Sequence, residues 1–372
     1  MIYRQLGKTG LKLSQLGFGA MRLPMIGEDK AAVINRELAI PVIHRAFELG
    51  VNYIDTAVFY CNSDSQRVVG EALKGWRDKV IVSTKNHYFG PDEKEWWQNL
   101  EDSLKRLDID YIDLYHHHGV DDKKFFDEVQ PRVRKWMEKA RDQGLIKHIC
   151  VSFHDTPEVL DRIIDSGYPQ AITLQYNMLD RKLEPSIAKA HEAGIGIIVM
   201  GPVAGGRLGL SDVLSKVVPG VERVPELALR FVLANPGVTV ALSGMETIQH
   251  VQENTTTASD PVALKDSDKA AIEEHLERLS KMADLYCTGC KYCTPCPRNV
   301  NIPSIFGLYN RARVYGLWDF AKRAYGRLLK NADDATKDQG VPSCNSCGAC
   351  EKKCPQNIPI RKQLSEAHKA LT

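Results

Sequence analysis

Between residues 13 and 243 the chain alternates short apolar, β-branched runs with amphipathic stretches. The runs Leu13–Ala20, Val51–Thr56, Val80–Lys85, Tyr111–His116, Ile146–Ser152, Ala171–Tyr176, Ile195–Met200 and Val238–Ser243 read as strands. They are apolar on both faces, so each must be covered on both sides. Helical periodicity fills the gaps at Pro41–Leu49, Gln66–Trp76, Lys94–Leu107, Phe125–Asp142, Pro157–Ser166, Glu184–Glu192, Pro225–Ala234 and Thr247–Asn254. In the first of these, Val42, Ile43, Ala46, Phe47 and Leu49 form the buried side, Pro41 suits the first turn and Gly50 suits the stop. Eight such units predict an α/β fold, a (β/α)8 barrel over residues 1–265. Met1–Gly10 is expected to form a hairpin closing the barrel's bottom. A helix over Asp266–Asp284, within a linking segment 266–286, leads to a separate, mainly helical unit at 287–372.

That last unit holds eight of the ten cysteines, in two runs: Cys287-x-x-Cys290-x-x-Cys293-x-x-Cys296-Pro297 and Cys344-x-x-Cys347-x-x-Cys350-x-x-x-Cys354-Pro355. Thiolates at such short intervals close on a metal centre, and a bacterial-type iron–sulfur run ends in Cys-Pro. The second run has that spacing; the first is one residue short in its last gap. Two four-cysteine zinc sites or a disulfide framework are the other readings. The unit resembles the two-cluster ferredoxins. The resemblance implies two 4Fe-4S clusters with crossed ligands: Cys287, Cys290, Cys293 and Cys354 on one, and Cys296, Cys344, Cys347 and Cys350 on the other. Cys296-Pro297 leading to Ile302-Pro303, and Cys354-Pro355 leading to Ile358-Pro359, suggest an internal repeat.

Charge is unevenly placed. From Cys287 to Thr372 there are 14 Lys and Arg against 6 Asp and Glu, whereas the rest of the chain carries 35 against 41. Compensation of anionic, thiolate-ligated clusters is one reading of this excess. An acidic electron carrier such as a ferredoxin or flavodoxin, steered by complementary charge, is the functional reading. No basic stripe interleaved with aromatics points to nucleic acid. No apolar run approaches a membrane span, and the N-terminus lacks a signal-peptide layout. A cytoplasmic protein is expected.

A barrel of this kind carries its chemistry at the C-terminal ends of its strands. Those ends supply Asp55, then Tyr60, Lys85 and the triple His116-His117-His118. A tyrosine is a weak acid, with a reference pKa of ~10. An ammonium beside Tyr60 would make the phenol ionise more readily, a carboxylate would hold that lysine charged, and an imidazole could position a carbonyl oxygen. His116 and His117 read as structural or substrate-facing.

Gly50-Val51-Asn52-Tyr53-Ile54-Asp55-Thr56-Ala57-x-x-Tyr60, Ser83-Thr84-Lys85 and Asp110-Tyr111-Ile112-Asp113-Leu114-Tyr115-x-x-His118 resemble the aldo-keto reductase signature, over about the first 260 residues. The resemblance implies that Asp55, Tyr60, Lys85 and His118 are the catalytic tetrad, with Tyr60 the general acid. It also implies hydride exchange between a nicotinamide and a carbonyl or alcohol substrate. On the same basis Gly19, Met21, Arg22, Asp55, Ser152, Gln175, Tyr176, Gly201, Pro202, Gly205, Gly206, Gly244, Met245, His250, Glu253 and Asn254 are expected to contact the dinucleotide. The family often has arginine where His250 stands, for the 2′-phosphate of NADP, and an imidazole cannot fork onto phosphate. NADP(H) is expected, with NAD(H) the alternative.

After Tyr60 the chain departs from the family with Cys61-Asn62-Ser63-Asp64-Ser65-Gln66. Cys61 reads as an inert or a redox-sensitive thiol, and Cys150 as core packing. The expectation is an NAD(P)H-dependent oxidoreductase with clusters for electron transfer. The alternatives are a reductase with purely structural clusters, and an electron-transfer or redox-sensing subunit whose barrel binds nucleotide without turnover.

Overall fold

The computed structural model describes residues 1–27, 31–178, 180–203, 217–221, 223–260, 264–281, 287, 293–331, 334, 336–354 and 358–372. The chain divides into two compact units, the first comprising Met1–Gly205 and Pro225–Leu264. It opens with a hairpin of β1 (Tyr3–Gln5) and β2 (Lys12–Ser14), and holds a small pair, β4 (Met25–Ile26) with β5 (Val33–Ile34). Eight parallel strands make its centre: β3 (Leu16–Gly19), β6 (Tyr53–Asp55), β7 (Ile81–Asn86), β8 (Ile112–Val120), β9 (Ile146–Phe153), β10 (Ala171–Gln175), β11 (Gly196–Met200) and β12 (Val240–Ser243). They close into a barrel in sequence order, with β12 paired back onto β3. This is the expected TIM barrel.

The expected run Leu13–Ala20 is divided. Ser14 Oγ donates to the Leu16 carbonyl at 2.7 Å, turning the chain between β2 and β3. The hairpin seals the floor, where Leu6 and Leu13 join Tyr53, Leu114, Cys150, Ala171, Ile198, Val240 and Leu242 in one apolar cluster. Cys150 therefore packs the core. Gly7 is required there: its φ is +48°, and a Cβ would lie 2.4 Å from the Gly194 carbonyl oxygen.

The helices outside the barrel are α1 (Arg36–Glu48), α2 (Ser65–Ala72), α3 (Glu93–Leu107), α4 (Arg134–Asp142), α5 (Pro157–Asp165), α6 (Glu184–Ala193), α7 (Val224–Leu233) and α8 (Ile248–Ser259). Pro41 does not open α1. Asn35 does, accepting from Leu38 N, and Pro41 sits inside the helix. It is exposed there and forfeits a single backbone bond near the start. A widened, π-helical stretch, Lys124–Val133, precedes α4 and contains Pro131. α8 runs past Asn254 to Ser259, and within it the Thr255, Thr256 and Thr257 hydroxyls each bond the carbonyl four residues back.

The second unit comprises Lys265–Thr372 and Gly206–Val224, of which 217–221, 223 and 224 are described. Its helices are α9 (Asp266–Lys281), α10 (Ile302–Tyr315), α11 (Trp318–Leu329), α12 (Ala349–Lys352) and α13 (Ile360–Leu371). Val300, Ile302, Ile305, Phe306, Ala312, Ala321, Tyr325, Ile358, Ile360, Leu364, Ala367 and Leu371 form their core. Cys287, Cys293, Cys296, Cys344, Cys350 and Cys354 pack against it. The two cysteine runs are drawn together by a bridge: Gln339 N donates to the Asn299 carbonyl at 2.8 Å and Asn301 N to the Gln339 carbonyl at 3.1 Å.

The repeat has a register two residues from the expected one. Ile302 N donates to the Val300 carbonyl at 2.9 Å and Ile360 N to the Ile358 carbonyl at 2.8 Å, each at a helix start. Ile358 is thus the counterpart of Val300, and Ile360 of Ile302. Among the described residues, no helix is long and apolar enough to cross a membrane.

Candidate active site and cysteine-lined cavity

Asp55 ends β6, Lys85 lies near the end of β7, His118 lies on β8, and Tyr60 follows β6 by a short turn. The barrel order makes these strands neighbours. Lys85 Nζ lies 2.6 and 2.8 Å from the two Asp55 carboxylate oxygens and donates to the Thr56 carbonyl at 2.8 Å. Both side chains are almost wholly enclosed, at 1% and 5% exposure. Burial alone would lower the lysine's proton affinity, but Asp55 and Tyr60 reverse this and leave it raised. The ammonium lies 4.8 Å from the centre of the Tyr60 ring. The Tyr60 and His118 rings meet edge to face, 6.3 Å apart at 84°. All four predicted tetrad residues are therefore brought together.

The expected lowering by Lys85 is present, but burial outweighs it. The Tyr60 phenol is raised above its ordinary value, not lowered: burial dominates, Lys85 opposes it, and Asp55 adds to it. Burial outweighs the lowering from Lys85, which Asp55 offsets only in part. Tyr60 is thus held as a protonated donor. His118 is depressed to about 3, first by burial and then by Lys85, His154, His87 and Lys124, so its imidazole is neutral.

Sequence reasoning missed a buried chain beneath the tetrad. Ser83 Oγ donates to Asp55 Oδ2 at 2.8 Å and lies 3.2 Å from His116 Nδ1, while Thr173 Oγ1 lies 3.0 Å from His116 Nε2. With its proton on Asp55, Ser83 must accept from His116 Nδ1–H, so Nε2 accepts from Thr173. His116 is pushed far below its usual range, chiefly by burial. The signal was available: Ser83 and Lys85, two apart on β7, share a face. His117 points the other way, with Nε2 3.0 Å from the Tyr168 hydroxyl. Both are structural.

The turn after Tyr60 is unusual. Cys61, Asn62 and Ser63 have φ of 50°, 53° and 67°, all left-handed. Asn62 Nδ2 donates to the Ala32 carbonyl at 2.9 Å, and Arg36 clamps Asp64 at 3.0 Å. Burial pushes the Cys61 thiol up, which favours the inert reading over the redox-sensitive one.

The described residues expected at the dinucleotide fall on or just after β9 to β12, β3 and β6, which are contiguous around the barrel, and on α8. A Cβ on Gly19 would meet the Ser243 carbonyl at 3.4 Å, and one on Gly244 would meet Arg22 Cβ at 3.3 Å. Asn254 Nδ2 donates to Ser243 Oγ at 3.1 Å. Ser152 is buried, 3.5 Å from His154 Nε2, and Gln175 ends β10 half-buried. Tyr176 is buried, donating to Glu184 at 3.1 Å, with its ring 5.7 Å from that of Phe231. Gly201 accepts from Asn177 at 3.1 Å, and Pro202 is buried beside it. Met21 is exposed, and so is His250, whose N–H is capped by Thr247 at 3.1 Å. Glu253 accepts from Gln249 at 2.9 Å. Met245 is fully buried, leaving only its backbone to meet a ligand. Gly205 and Gly206 lie outside the described residues.

In the second unit one cavity is lined by Cys293, Cys296, Cys344, Cys347 and Cys350, with Val300, Ile302, Leu364, Lys353 and Arg361. Cys347 is the exposed member. Soft thiol donors, apolar walls and two cations fit an anionic iron–sulfur cluster. Among the described residues no three ligand side chains converge closely enough for a single metal ion. A cubane spaces its thiolates more widely. Cys287 and Cys354 pack on the same core; Cys290 lies outside the described residues.

Residues 15–216 match the Aldo/keto reductase family, and residues 286–359 match the 4Fe-4S dicluster domain. The chain belongs to the aldo/keto reductase family and carries a C-terminal 4Fe-4S ferredoxin-type domain. It is 30% identical to the aldo-keto reductase AKR11C1 of Bacillus halodurans in its holo form, with a TM-score of 0.63 over 74% of this chain and 96% of that one. The NADH-specific methylglyoxal reductase of Escherichia coli is 26% identical, over 74% of this chain and 98% of its own length. The L-galactose dehydrogenase of Arabidopsis thaliana is 26% identical, over 69% and 88%.

Proposed function

We propose that the barrel interconverts a small-molecule carbonyl and its alcohol with a nicotinamide dinucleotide, and that the tail holds two 4Fe-4S clusters that pass electrons. When bound, the nicotinamide supplies the hydride. The substrate oxygen accepts hydrogen bonds from the Tyr60 hydroxyl and from the neutral His118 imidazole. Tyr60 then gives up its proton as negative charge develops on that oxygen. Lys85 stabilises the phenolate left behind, and Asp55, braced by Ser83 and His116, keeps Lys85 charged and aimed. The observation that carries this reading is the enclosed Lys85–Asp55 pair facing the Tyr60 ring.

Ser152 and Gln175 offer the donors and acceptors a carboxamide needs. NADP(H) is the proposed donor, with NAD(H) the alternative, since His250 replaces a phosphate-forking arginine. Cys287, Cys290, Cys293 and Cys354 would hold one cluster, and Cys296, Cys344, Cys347 and Cys350 the other. An acidic ferredoxin or flavodoxin is the proposed electron partner.

The test is anaerobic purification with iron and sulfide analysis, then a carbonyl screen with both nicotinamides against Tyr60→Phe. A barrel that only binds nucleotide would be indifferent to that substitution. Unchanged NAD(P)H-dependent turnover in a folded Cys347→Ser/Cys350→Ser variant would favour purely structural clusters.

A further inference from the structure

The cysteine-lined cavity sits in a patch of positive charge. Lys353 and Arg361 line it. Arg298 Nε reaches the Ser343 carbonyl at 3.4 Å, and Arg361 also approaches the Ser346 carbonyl at 3.5 Å, so both guanidiniums lie against the second cysteine run. Lys352 and Lys362 are their exposed chain neighbours. Against these five cations stands Glu351, already paired with Arg361 at 2.8 Å. Four thiolates on an oxidised cubane leave about two negative charges. Two such clusters carry about four, which equals the local excess, but from Cys287 to Thr372 the 14 Lys and Arg exceed the 6 Asp and Glu by 8, so neutralising the clusters explains only part of the positive charge.

The same edge carries Cys347, exposed together with Asn345 and Ser346. An exposed ligand brings a cluster to the molecular surface, where electron transfer between proteins must take place. Weak redox encounters use small, charge-steered faces.

We propose that this edge, with Cys347 at its centre and Arg298, Lys352, Lys353, Arg361 and Lys362 around it, is the docking face for a small acidic ferredoxin. One electron leaves the reduced ferredoxin, which is oxidised, and the Cys347-side cluster is reduced by one electron; no proton or leaving group moves. The proposal rests on the reading that the tail holds clusters. It goes further in assigning the entry point to this edge. The other basic surface, Lys322, Arg323, Arg327 and Lys330 exposed along α11, is the competing candidate.

The test uses the anaerobically purified full chain and a plant-type [2Fe–2S] ferredoxin. Carbodiimide cross-linking followed by peptide mapping should join ferredoxin carboxylates to Lys352, Lys353 or Lys362. Stopped-flow cluster reduction should slow steeply with salt. The triple variant Lys352→Glu/Lys353→Glu/Lys362→Glu should slow it about 10- to 100-fold at low salt. Reduction by the methyl viologen radical cation, which added negative charge attracts, should not slow. The milder Lys→Gln triple variant and the salt series on the parent chain keep the test decisive if the charge reversal fails to fold. Cross-links confined to α11, or rates independent of salt and of these lysines in an iron-loaded protein, would overturn the docking face while leaving the clusters in place. An iron-free anaerobic preparation would remove the cluster reading and this proposal together.

Discussion

The barrel and the cysteine tail build their sites by opposite means. In the barrel the reactive groups hold one another: Lys85, Asp55, Ser83, His116 and Thr173 form a continuous buried chain of hydrogen bonds, satisfied by protein alone. In the tail the donors are half-buried or exposed thiols around a cavity, packed on an apolar core. Preorganised polar sites spend folding energy on geometry before the ligand arrives. Metal sites recover theirs when it does. The barrel's chemistry should therefore be sensitive to single atoms and the tail's stability to its inorganic load.

The sharpest break is Tyr60→Phe. It should lower kcat/KM by roughly 10²–10⁴-fold while leaving nicotinamide binding, read by fluorescence, within about twofold. Removing iron from the tail should lower its unfolding transition by roughly 10–30 °C and leave the barrel's transition in place, as calorimetry can resolve.

Acid separates the regions next. His117 and His118 are both held near pKa of about 3 by burial, against about 6.5 when unfolded. The unfolded chain binds more protons between those values. The stability these residues contribute is complete above pH ~6.5 and declines as pH falls toward ~3. Denaturant titrations should show this loss, on the order of several kcal/mol, in the barrel's transition. With Tyr60 raised and His118 neutral, kcat/KM should show no limb near pH 6–7 from the tetrad.

His250→Arg should raise the preference for NADPH over NADH by about tenfold, the worth of one charge-assisted contact. Smallest of all, Thr173→Val should cost about 1 kcal/mol of stability and leave the pH profile unmoved, because it removes the bond of the chain farthest from the phenol.

The barrel was legible because its strands are apolar on both faces and its strand ends carry an ordered set of reactive residues. Its errors were local. Pro41 reads as a start signal, although Asn35, six residues earlier, is the stronger cap. The end of α8 was hidden by Thr255-Thr256-Thr257, whose branching argues against a helix until their hydroxyls are seen to bond back four residues. The direction of the Tyr60 shift was illegible in principle. It depends on how deeply the phenol is buried, which outweighs the lowering from Lys85, and depth is not a property of spacing. In the tail the cysteine spacing was plain. The repeat was misplaced because Ile-Pro occurs twice, two residues out of step with the backbone turn that defines it.

The three left-handed residues after Tyr60 have a consequence for remodelling this protein. Each costs about 1 kcal/mol or more, and the Asn62 and Arg36–Asp64 anchors offset that cost by tethering the entrance to α1. The loop and Tyr60 are thus parts of one tensioned strap. Grafting a longer or softer loop to admit bulkier compounds would slacken the phenol as well. Selectivity and rate should shift together in any laboratory attempt to change one alone.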